Sequence, residues 1–287
     1  MTSTKKLVLL VIASNAGGEG KTLLAALMKA LWLLDDQPVH LICGDPGNRA
    51  AKVADESART VGWGVQAIRA GDIVASTLGG HVILDLGANT LASAREIVDL
   101  LPSLRASYAS AGYRTMVLLP VSTNKTGAVE AIEALASNLT DFEQLFVEVN
   151  RDGSGTYDKD LKSSNVIRLD HLQPGFQTYV REVGSLFKAV TTPLKGYEHA
   201  SAYVAQWMRT FATQEPVREL VGDIEALNTC SPVPGLLIVK APRLDDVTNE
   251  QLEWNVYRSK VLREIYRKGW TALGFRQIAA MMDDGAF

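Results

Sequence analysis

The sequence predicts an α/β fold, a doubly wound and mostly parallel sheet with helices on both faces and a helix-rich C-terminal extension. Short, nearly continuous apolar segments alternate with helical segments over residues 1–150. Strands of this kind are buried on both faces, as in parallel sheets. The runs at 38–43, 81–85 and 145–150 end at or directly before Gly44, Asp85 and Asn150, residue types that favour loops. We therefore expect residues 1–150 to form a core that binds its ligand at the carboxyl ends of the strands, and residues 151–287 to complete the core or to be appended to it.

Apolar and β-branched runs bounded by loop-forming residues predict the strands, and the segments between them predict the helices. In the core, the predicted strands are residues 7–12, 38–43, 64–68, 81–85, 115–121 and 145–150, and the predicted helices are residues 23–34, 49–60, 92–101 and 127–137. Beyond the core we expect a strand at 166–169, helices at 177–190, 199–213 and 217–227, an apolar run at 236–239 and a terminal helix from residue 249. The right-handed crossover rule then fixes how each helix connects its strands.

Composition excludes several classes of protein. The net charge of −3 gives no global basic field, so any nucleic-acid surface would have to be a local patch. Two cysteines, Cys43 and Cys230, cannot build a disulfide framework, which fits a reducing cytoplasm. Lys5 and Lys6 before an apolar run are reminiscent of a signal peptide, but the run is short and leads into a glycine-rich loop, so we interpret it as the first strand. No run approaches the ~18 apolar residues of a membrane span, and we expect a cytoplasmic protein.

The glycine-rich segment at residues 13–22 is the strongest functional signal. It reads ASNAGGEGKT, directly after the first apolar run and directly before a predicted helix. Glycines let successive backbone N–H groups converge on a phosphate, and the N-terminus of the following helix attracts the same anion. Lys21 would reach the terminal phosphates, and the Thr22 hydroxyl would bind Mg²⁺. The predicted nucleotide-binding residues of this loop are Gly17, Gly18, Glu19, Gly20, Lys21 and Thr22.

Residues 17–22, GGEGKT, resemble the deviant phosphate loop of ParA/MinD-type ATPases, which reads K-G-G-x-G-K-[ST]. The standard pattern G-x-x-x-x-G-K-[ST] is not matched, because Asn15 replaces its first glycine. The signature lysine of the resembled family, which reaches the partner's phosphates across a nucleotide-sandwich dimer, is replaced by Ala16. Glu19 places a carboxylate near the phosphates, so its side chain should point outwards or repel the ligand.

Two carboxylates at predicted strand ends fit the same site. Asp85 ends the apolar strand 81–85, as a Walker B carboxylate that holds Mg²⁺ would, although a strand-end Asp also commonly caps a turn. The segment CGDPGN at residues 43–48 resembles the family's second acidic loop, and this resemblance implies that Asp45 orients the attacking water. Cys43 replaces the first acid of that loop, so hydrolysis is expected to be slow. With Lys21, Asp45 is the predicted catalytic residue.

The sequence gives weaker indications of where the base of the nucleotide would bind. Asn150 follows the apolar run 145–149 and resembles the family's strand-end asparagine that reads adenine, but ordinary turn chemistry explains it equally well. Arg151 would stack on or cover the base. Residues 123–127, TNKTG, are similar to the guanine-reading Asn-Lys-x-Asp of GTPases, but Gly127 replaces the discriminating Asp, and guanine specificity is not supported.

Two helical segments outside the core have alternative readings. The stripe Tyr203, Trp207 and Phe211 favours packing onto the core over a base-stacking platform. In the predicted terminal helix, Lys260, Arg263 and Arg267 lie on one stripe, and Arg258 adds charge nearby. These four residues, the basic stripe, are a candidate for non-specific DNA binding. A solvated helix face is at least as common for such a stripe, and a membrane role is weaker because the chain ends acidic.

The leading hypothesis is a ParA/MinD-like protein that binds ATP and Mg²⁺ and hydrolyses ATP slowly, switching DNA or partner binding in plasmid partition, positioning or conjugative maintenance. The resemblance implies a nucleotide-dependent homodimer or higher oligomer. The alternative is a nucleotide-binding scaffold or filament-forming protein with little or no turnover. A ligase or synthetase of the related group ranks last, because no convergent residues for a small acid are recognisable.

Overall fold

A computed structural model describes residues 6–44, 58–60, 70–87, 95–163 and 165–228. Its strands form one seven-stranded sheet in the order β3-β2-β4-β1-β5-β6-β7, and every neighbouring pair is parallel. The strands are β1 (Val8–Ile12), β2 (Val39–Cys43), β3 (Arg59–Thr60), β4 (His81–Asp85), β5 (Arg114–Ser122), β6 (Glu143–Val149) and β7 (Val166–Leu169). The order reverses at β1, which is the central strand and the one that leads into the glycine-rich loop.

The helices in the described residues are α1 (Lys21–Leu34), α2 (Ala70–Ala75), α3 (Arg95–Ser110), α4 (Ala128–Ala136), α5 (Pro174–Val183), α6 (Leu186–Thr191), α7 (Glu198–Ala212), α8 (Glu215–Val221) and α9 (Glu225–Asn228). They cover both faces of the sheet, as alternate side chains of β1 show. Val8, Leu10 and Ile12 pack with α1 and with the helices that follow β7. Leu9 and Val11 pack with α2, α3 and α4. This two-sided core confirms the predicted α/β class.

Several predicted boundaries need correction. Residues 59–60 fall at the end of a predicted helix, yet they form the short strand β3, which pairs with β2. The helix predicted at 92–101 continues to Ser110, through Pro102. The six-residue helix α2 was not predicted. The predicted strand at 64–68 lies outside the described residues, as does most of the helix predicted at 49–60.

Two long predicted helices are each divided in two. The segment 177–190 breaks at Gly184, whose φ of 98° places it in the left-handed region that ends α5. Ser185 then begins α6, since its side chain accepts a hydrogen bond from the backbone N–H of Lys188 at 3.1 Å. The segment 217–227 breaks after Val221 at Gly222, which has a φ of 75°.

The aromatic stripe of α7 packs inside the protein, as predicted. Trp207 and Phe211 are buried, and Tyr203 stacks on Phe176 with ring centroids 3.8 Å apart. The Trp207 indole N–H also donates to the backbone carbonyl of Asp170 at 2.8 Å, which fixes the segment that follows β7. A base-stacking role for this stripe is therefore wrong.

β7 extends the sheet beyond residue 150 and forms its outer edge. The side chain of Gln214, just before α8, lies along this edge and binds the backbone of Arg168 twice. Its Oε1 accepts from the Arg168 N–H at 2.8 Å, and its Nε2 donates to the Arg168 carbonyl at 2.7 Å. The amide therefore satisfies the edge groups that a further strand would otherwise bind.

Within the described part of the chain, no helix is long and apolar enough to cross a membrane. The apolar run predicted at 236–239 and the terminal helix from residue 249 lie outside the described residues.

Candidate functional site

The loop between β1 and α1 has the geometry of a phosphate cradle. Gly18 and Gly20 have φ values of 80° and 84°, a region that residues with a Cβ rarely adopt. A Cβ on Gly20 would lie 3.0 Å from Cγ1 of Val149, and a Cβ on Gly18 would collide with the guanidinium of Arg151. Gly20 is also the N-cap of α1 and has no side chain to cap it, so the first N–H groups of the helix are free of a side-chain cap. Such groups attract anions.

Lys21 is folded back over this loop. Its Nζ donates to the Ser14 hydroxyl and to the Ala16 carbonyl, both at 2.8 Å, and the side chain is buried. The ammonium group therefore lies beside the loop that would surround a phosphate. The role predicted for Lys21, reaching the terminal phosphates, stays a prediction.

The residues predicted to hold Mg²⁺ touch each other. The Thr22 hydroxyl donates to Oδ2 of Asp85 at 3.0 Å. The sheet brings them together, because β1 and β4 are adjacent parallel strands in which Ile12 pairs with Asp85. The hydroxyl and the buried carboxylate supply oxygen atoms, the ligands that Mg²⁺ prefers, and nucleotide phosphates commonly complete such a site. The donor set therefore fits Mg²⁺ bound together with a phosphate.

A cavity of about 520 Å³ opens beside this loop, a volume within the usual range for small-molecule sites. One end contains the glycine-rich loop with Thr22 and Asp85. The other end lies between α1 and the segments after β6 and β7. Its lining residues are Gly17, Gly18, Glu19, Gly20, Lys21, Thr22, Leu23, Ala26, Cys43, Asp85, Leu86, Gly87, Val149, Asn150, Arg151, Asp170, His171, Leu172, Gln177, Val180, Arg181 and Leu186. Except for Asp45 and the basic stripe, the structure thus brings all predicted site residues together.

Asn150 and Arg151 line the cavity in different ways. Asn150 Oδ1 accepts the backbone N–H of Gly155 at 3.0 Å, so this side chain also shapes the turn after β6. Arg151 Nη1 donates to the Gly18 carbonyl at 3.0 Å, which places the guanidinium against the phosphate loop. Base reading by Asn150 and base covering by Arg151 stay predictions.

The Glu19 side chain does not point outwards, as one of the two predicted alternatives required. The side chain is only 3% exposed, and its Oε2 accepts the backbone N–H of Ser122 at 2.7 Å. Its Oε1 pairs with Nζ of Lys125 at 2.5 Å, and the same Nζ donates to the Gly17 carbonyl at 2.7 Å. The carboxylate is thus buried and neutralised, because the segment after β5 carries a lysine that packs onto the loop.

Asp152 joins the segments that follow β5 and β6. Its carboxylate accepts hydrogen bonds from the Thr123 hydroxyl at 2.7 Å, from Ser154 and from the Asn124 amide. Partial burial acts to raise the pKa of Asp152, but these hydrogen bonds outweigh it and hold the pKa well below its usual value. Thr123 also accepts the Arg151 N–H at 3.2 Å, so the segments that carry Lys125 and Arg151 are joined to each other.

Sequence reasoning missed the cavity residues after β7, namely Asp170, His171 and Gln177. The strand-end rule that identified Asp85 applies equally to Asp170 and His171, which follow β7 directly. Nδ1 of His171 is buried and has no hydrogen-bond partner within the described residues. Gln177 is held by the Leu172 carbonyl, to which its Nε2 donates at 2.6 Å.

Other predicted residues lie outside the described residues: Asp45, Arg258, Lys260, Arg263 and Arg267. Across the ranges that the structure describes, no group of three or more His, Cys, Asp or Glu side chains is arranged to hold a metal ion. A metal ion bound by Thr22 and Asp85 would therefore need further ligands, such as the phosphate oxygens of a nucleotide.

No protein-family profile matches this chain, and no curated protein does. Among solved structures, FlhF complexed with GMPPNP and Mg²⁺ has a TM-score of 0.31 at 12% identity, covering 54% of this chain and 60% of that chain. The MinC:MinD cell division complex of Aquifex aeolicus has a TM-score of 0.38 at 14% identity, covering 73% and 97%. The septum site-determining protein MinD of Pyrococcus horikoshii, complexed with Mg-ADP, has a TM-score of 0.31 at 17% identity, covering 82% and 100%. Likeness at these scores carries no information on what this chain binds.

Proposed function

We propose that this protein binds a nucleoside triphosphate together with Mg²⁺ at the loop between β1 and α1. The observation that carries the proposal is the 3.0 Å contact between the Thr22 hydroxyl and Asp85, at the end of the glycine-rich loop over which Lys21 is folded. A phosphate-bound Mg²⁺ ion requires oxygen ligands close to a phosphate-binding loop. The hydroxyl and the carboxylate provide such oxygens, in contact with each other at the end of a glycine-rich loop that carries a lysine.

In this proposal, each part of the site has one task. The backbone N–H groups of the loop and of the first turn of α1 bind the phosphates, and Lys21 binds the terminal ones. Thr22 and Asp85 hold Mg²⁺, which neutralises phosphate charge and favours transfer of the terminal phosphoryl group. The cavity between Asn150 and Gln177 receives the base, and Asn150 makes ATP the expected nucleotide.

A titration of ATP with excess Mg²⁺ or with EDTA tests this proposal. The expected result is binding that Mg²⁺ strengthens, with Asp85→Asn and Thr22→Val removing the Mg²⁺-dependent part. The loss should be roughly 10- to 100-fold, as for other metal-site partners. Asp99→Asn, an exposed carboxylate on α3, is the matched control and should bind ATP normally. Failure of the unaltered protein to bind any nucleotide would overturn the proposal.

We further propose slow hydrolysis of ATP to ADP and phosphate, with Lys21 stabilising the transferred group and Asp45 orienting the water. Turnover is expected to be slow because Ala16 and Cys43 replace charged groups of the resembled ATPases, and Cys43 lines the cavity. Steady-state phosphate release, with Asp45→Ala as the inactive variant, measures this. Turnover unaffected by Asp45→Ala would remove Asp45 from the mechanism.

The biological role that we propose is ParA/MinD-like: ATP binding switches association with DNA or a protein partner in partition or positioning. The basic stripe motivates the DNA part, and the ATP-bound protein should bind generic duplex DNA at low salt and lose it at high salt. Replacing Arg258, Lys260, Arg263 and Arg267 with Ala should abolish this binding while nucleotide affinity stays unchanged. Light scattering with and without ATP tests the proposed nucleotide-dependent dimer or higher oligomer.

The second candidate is a nucleotide-binding scaffold or filament-forming protein with little turnover. It is favoured by the thiol of Cys43, which lies at the cavity where the resembled loop carries an acid. ATPase activity that DNA stimulates and that Asp45→Ala abolishes would exclude this candidate. ATP-dependent filaments without phosphate release would support it.

A further inference from the structure

Two cations hold consecutive carbonyl groups of the phosphate loop. Lys125, after β5, donates to the Gly17 carbonyl at 2.7 Å, and Arg151, after β6, donates to the Gly18 carbonyl at 3.0 Å. A cation bound to a peptide carbonyl polarises that peptide unit and strengthens its N–H group as a donor. The two side chains therefore act on the same stretch of backbone that would bind phosphate.

Lys125 has a second task, because it is the ion-pair partner of Glu19. The Glu19 side chain is 3% exposed and that of Lys125 is 34% exposed, so one partner is buried and the other reaches solvent. Glu19 is anchored at its other oxygen by the Ser122 N–H. The carboxylate therefore cannot turn away from the loop without losing a buried hydrogen bond.

We propose that Lys125 is a positioning residue of the phosphate loop: it neutralises Glu19 and holds the Gly17 peptide so that the loop can bind a polyphosphate. This inference deepens the proposed nucleotide-binding function and rests on it. Without the lysine, an unpaired buried carboxylate would lie between Gly18 and Gly20, on a residue that lines the cavity where the negatively charged ligand would bind.

Loss of Lys125 should affect nucleotides according to their negative charge. Repulsion between two charges falls with distance and is strongest where water is excluded, so an uncompensated Glu19 acts mainly on the phosphates. Its effect should grow with the number of phosphates on the nucleotide. A merely structural defect would instead weaken ATP, ADP and AMP to a similar degree.

The test is a set of nucleotide titrations on the full chain, with fluorescent ATP, ADP and AMP as probes. Lys125→Met should weaken ATP binding about 10-fold or more, since removing one partner of a buried pair leaves the other charge unpaired. The loss should be smaller for ADP and least for AMP. Lys125→Arg, which keeps the charge, should retain most of the affinity.

The decisive variant is the double substitution Glu19→Gln with Lys125→Met. Glutamine keeps an acceptor for the Ser122 N–H and removes the charge, so ATP affinity should return to within about 3-fold of the unaltered protein if charge compensation is the main role. The matched control is Arg114→Met, which breaks the ion pair with Glu143 at the opposite end of β5 and should leave ATP affinity unchanged. Thermal unfolding of each variant shows that it is folded.

The outcomes separate this inference from the proposed function. Unaltered ATP affinity in Lys125→Met, or a loss that Glu19→Gln does not restore, overturns the inference while nucleotide binding stands. If the unaltered protein binds no nucleotide, both fall together. Restoration by the double variant, with the loss graded by phosphate number, supports the inference.

Discussion

The guanidinium of Arg151 occupies the space that a Cβ on Gly18 would need. Its Nη1 donates to the Gly18 carbonyl at 3.0 Å, and Gly18 has a φ of 80°. The backbone conformation favours glycine at this position, and a Cβ would in addition have to displace the end of the Arg151 side chain. The hydrogen bond also joins the phosphate loop to the segment after β6.

We predict that Gly18→Ala weakens ATP binding by roughly tenfold or more, because left-handed strain alone costs about 1–2 kcal/mol and Arg151 must also move. The matched control is Gly112→Ala, at a φ of 86° with no atom within 4 Å of its Cβ. Gly112→Ala should cost a similar amount of stability, about 1–2 kcal/mol, without changing ATP affinity. Partial recovery of ATP binding in Gly18→Ala with Arg151→Ala would identify the collision as part of the loss.

Asp152 predicts a pH dependence of stability. Hydrogen bonds hold the pKa of Asp152 below its unfolded value of about 3.9, so its ionised form stabilises the folded state. This contribution is complete above the unfolded pKa and is lost as pH falls through the folded pKa. Asp152→Asn should therefore lower the melting temperature at neutral pH. The difference in melting temperature between this variant and the unaltered protein, the gap, should shrink below about pH 4. A gap that stays constant with pH would contradict this assignment.

The Trp207 indole N–H donates a hydrogen bond to the backbone carbonyl of Asp170, a residue that lines the cavity. Trp207→Phe should lower the free energy of unfolding by about 0.5–1.5 kcal/mol through the loss of this partly buried hydrogen bond. Denaturant unfolding measures this. Tyr197→Phe is the control, because its hydroxyl makes no hydrogen bond within the described residues, and the change should be near neutral. Equal effects of the two substitutions would show that the Trp207 hydrogen bond is unimportant.

Ser185 sets where α6 begins, and Leu186 in its first turn lines the cavity. Ser185→Ala removes the side-chain acceptor of the Lys188 N–H and should cost about 0.5–2 kcal/mol of stability. Ser185→Asp, which restores an acceptor at this N-cap, should recover most of the loss. Thermal unfolding of both variants checks this, and a loss shared by Ser185→Asp would contradict the capping role.

Local sequence patterns were sufficient to predict the structure where an apolar run ends at or near a loop-forming residue. Such runs predicted the central strand, the phosphate loop and Asp85, and the parallel register then placed Asp85 beside Thr22. The break at Gly184 was missed because the apolar pattern continues across it. The helix predicted at 92–101 stops one residue before Pro102, whereas the observed helix continues through this proline although it removes one backbone hydrogen bond.

The contacts that complete the site could not be predicted. In the sequence, Lys125 belongs only to a segment similar to a guanine-reading motif, and nothing local indicates that it reaches Gly17 or Glu19. Their contact joins residues more than a hundred positions apart and depends on the order of the strands. The same holds for Arg151 and Gly18, whose pairing requires β6 to lie beyond β5.

The amide of Gln214 has a consequence for how copies of this protein could associate. At Arg168 the outer edge of β7 already exchanges both a donor and an acceptor with this side chain. An incoming strand would have to displace the amide before it could pair there, so β-augmentation at this edge is disfavoured. Pairing of a second copy along β7 would therefore first cost the two hydrogen bonds between Gln214 and Arg168.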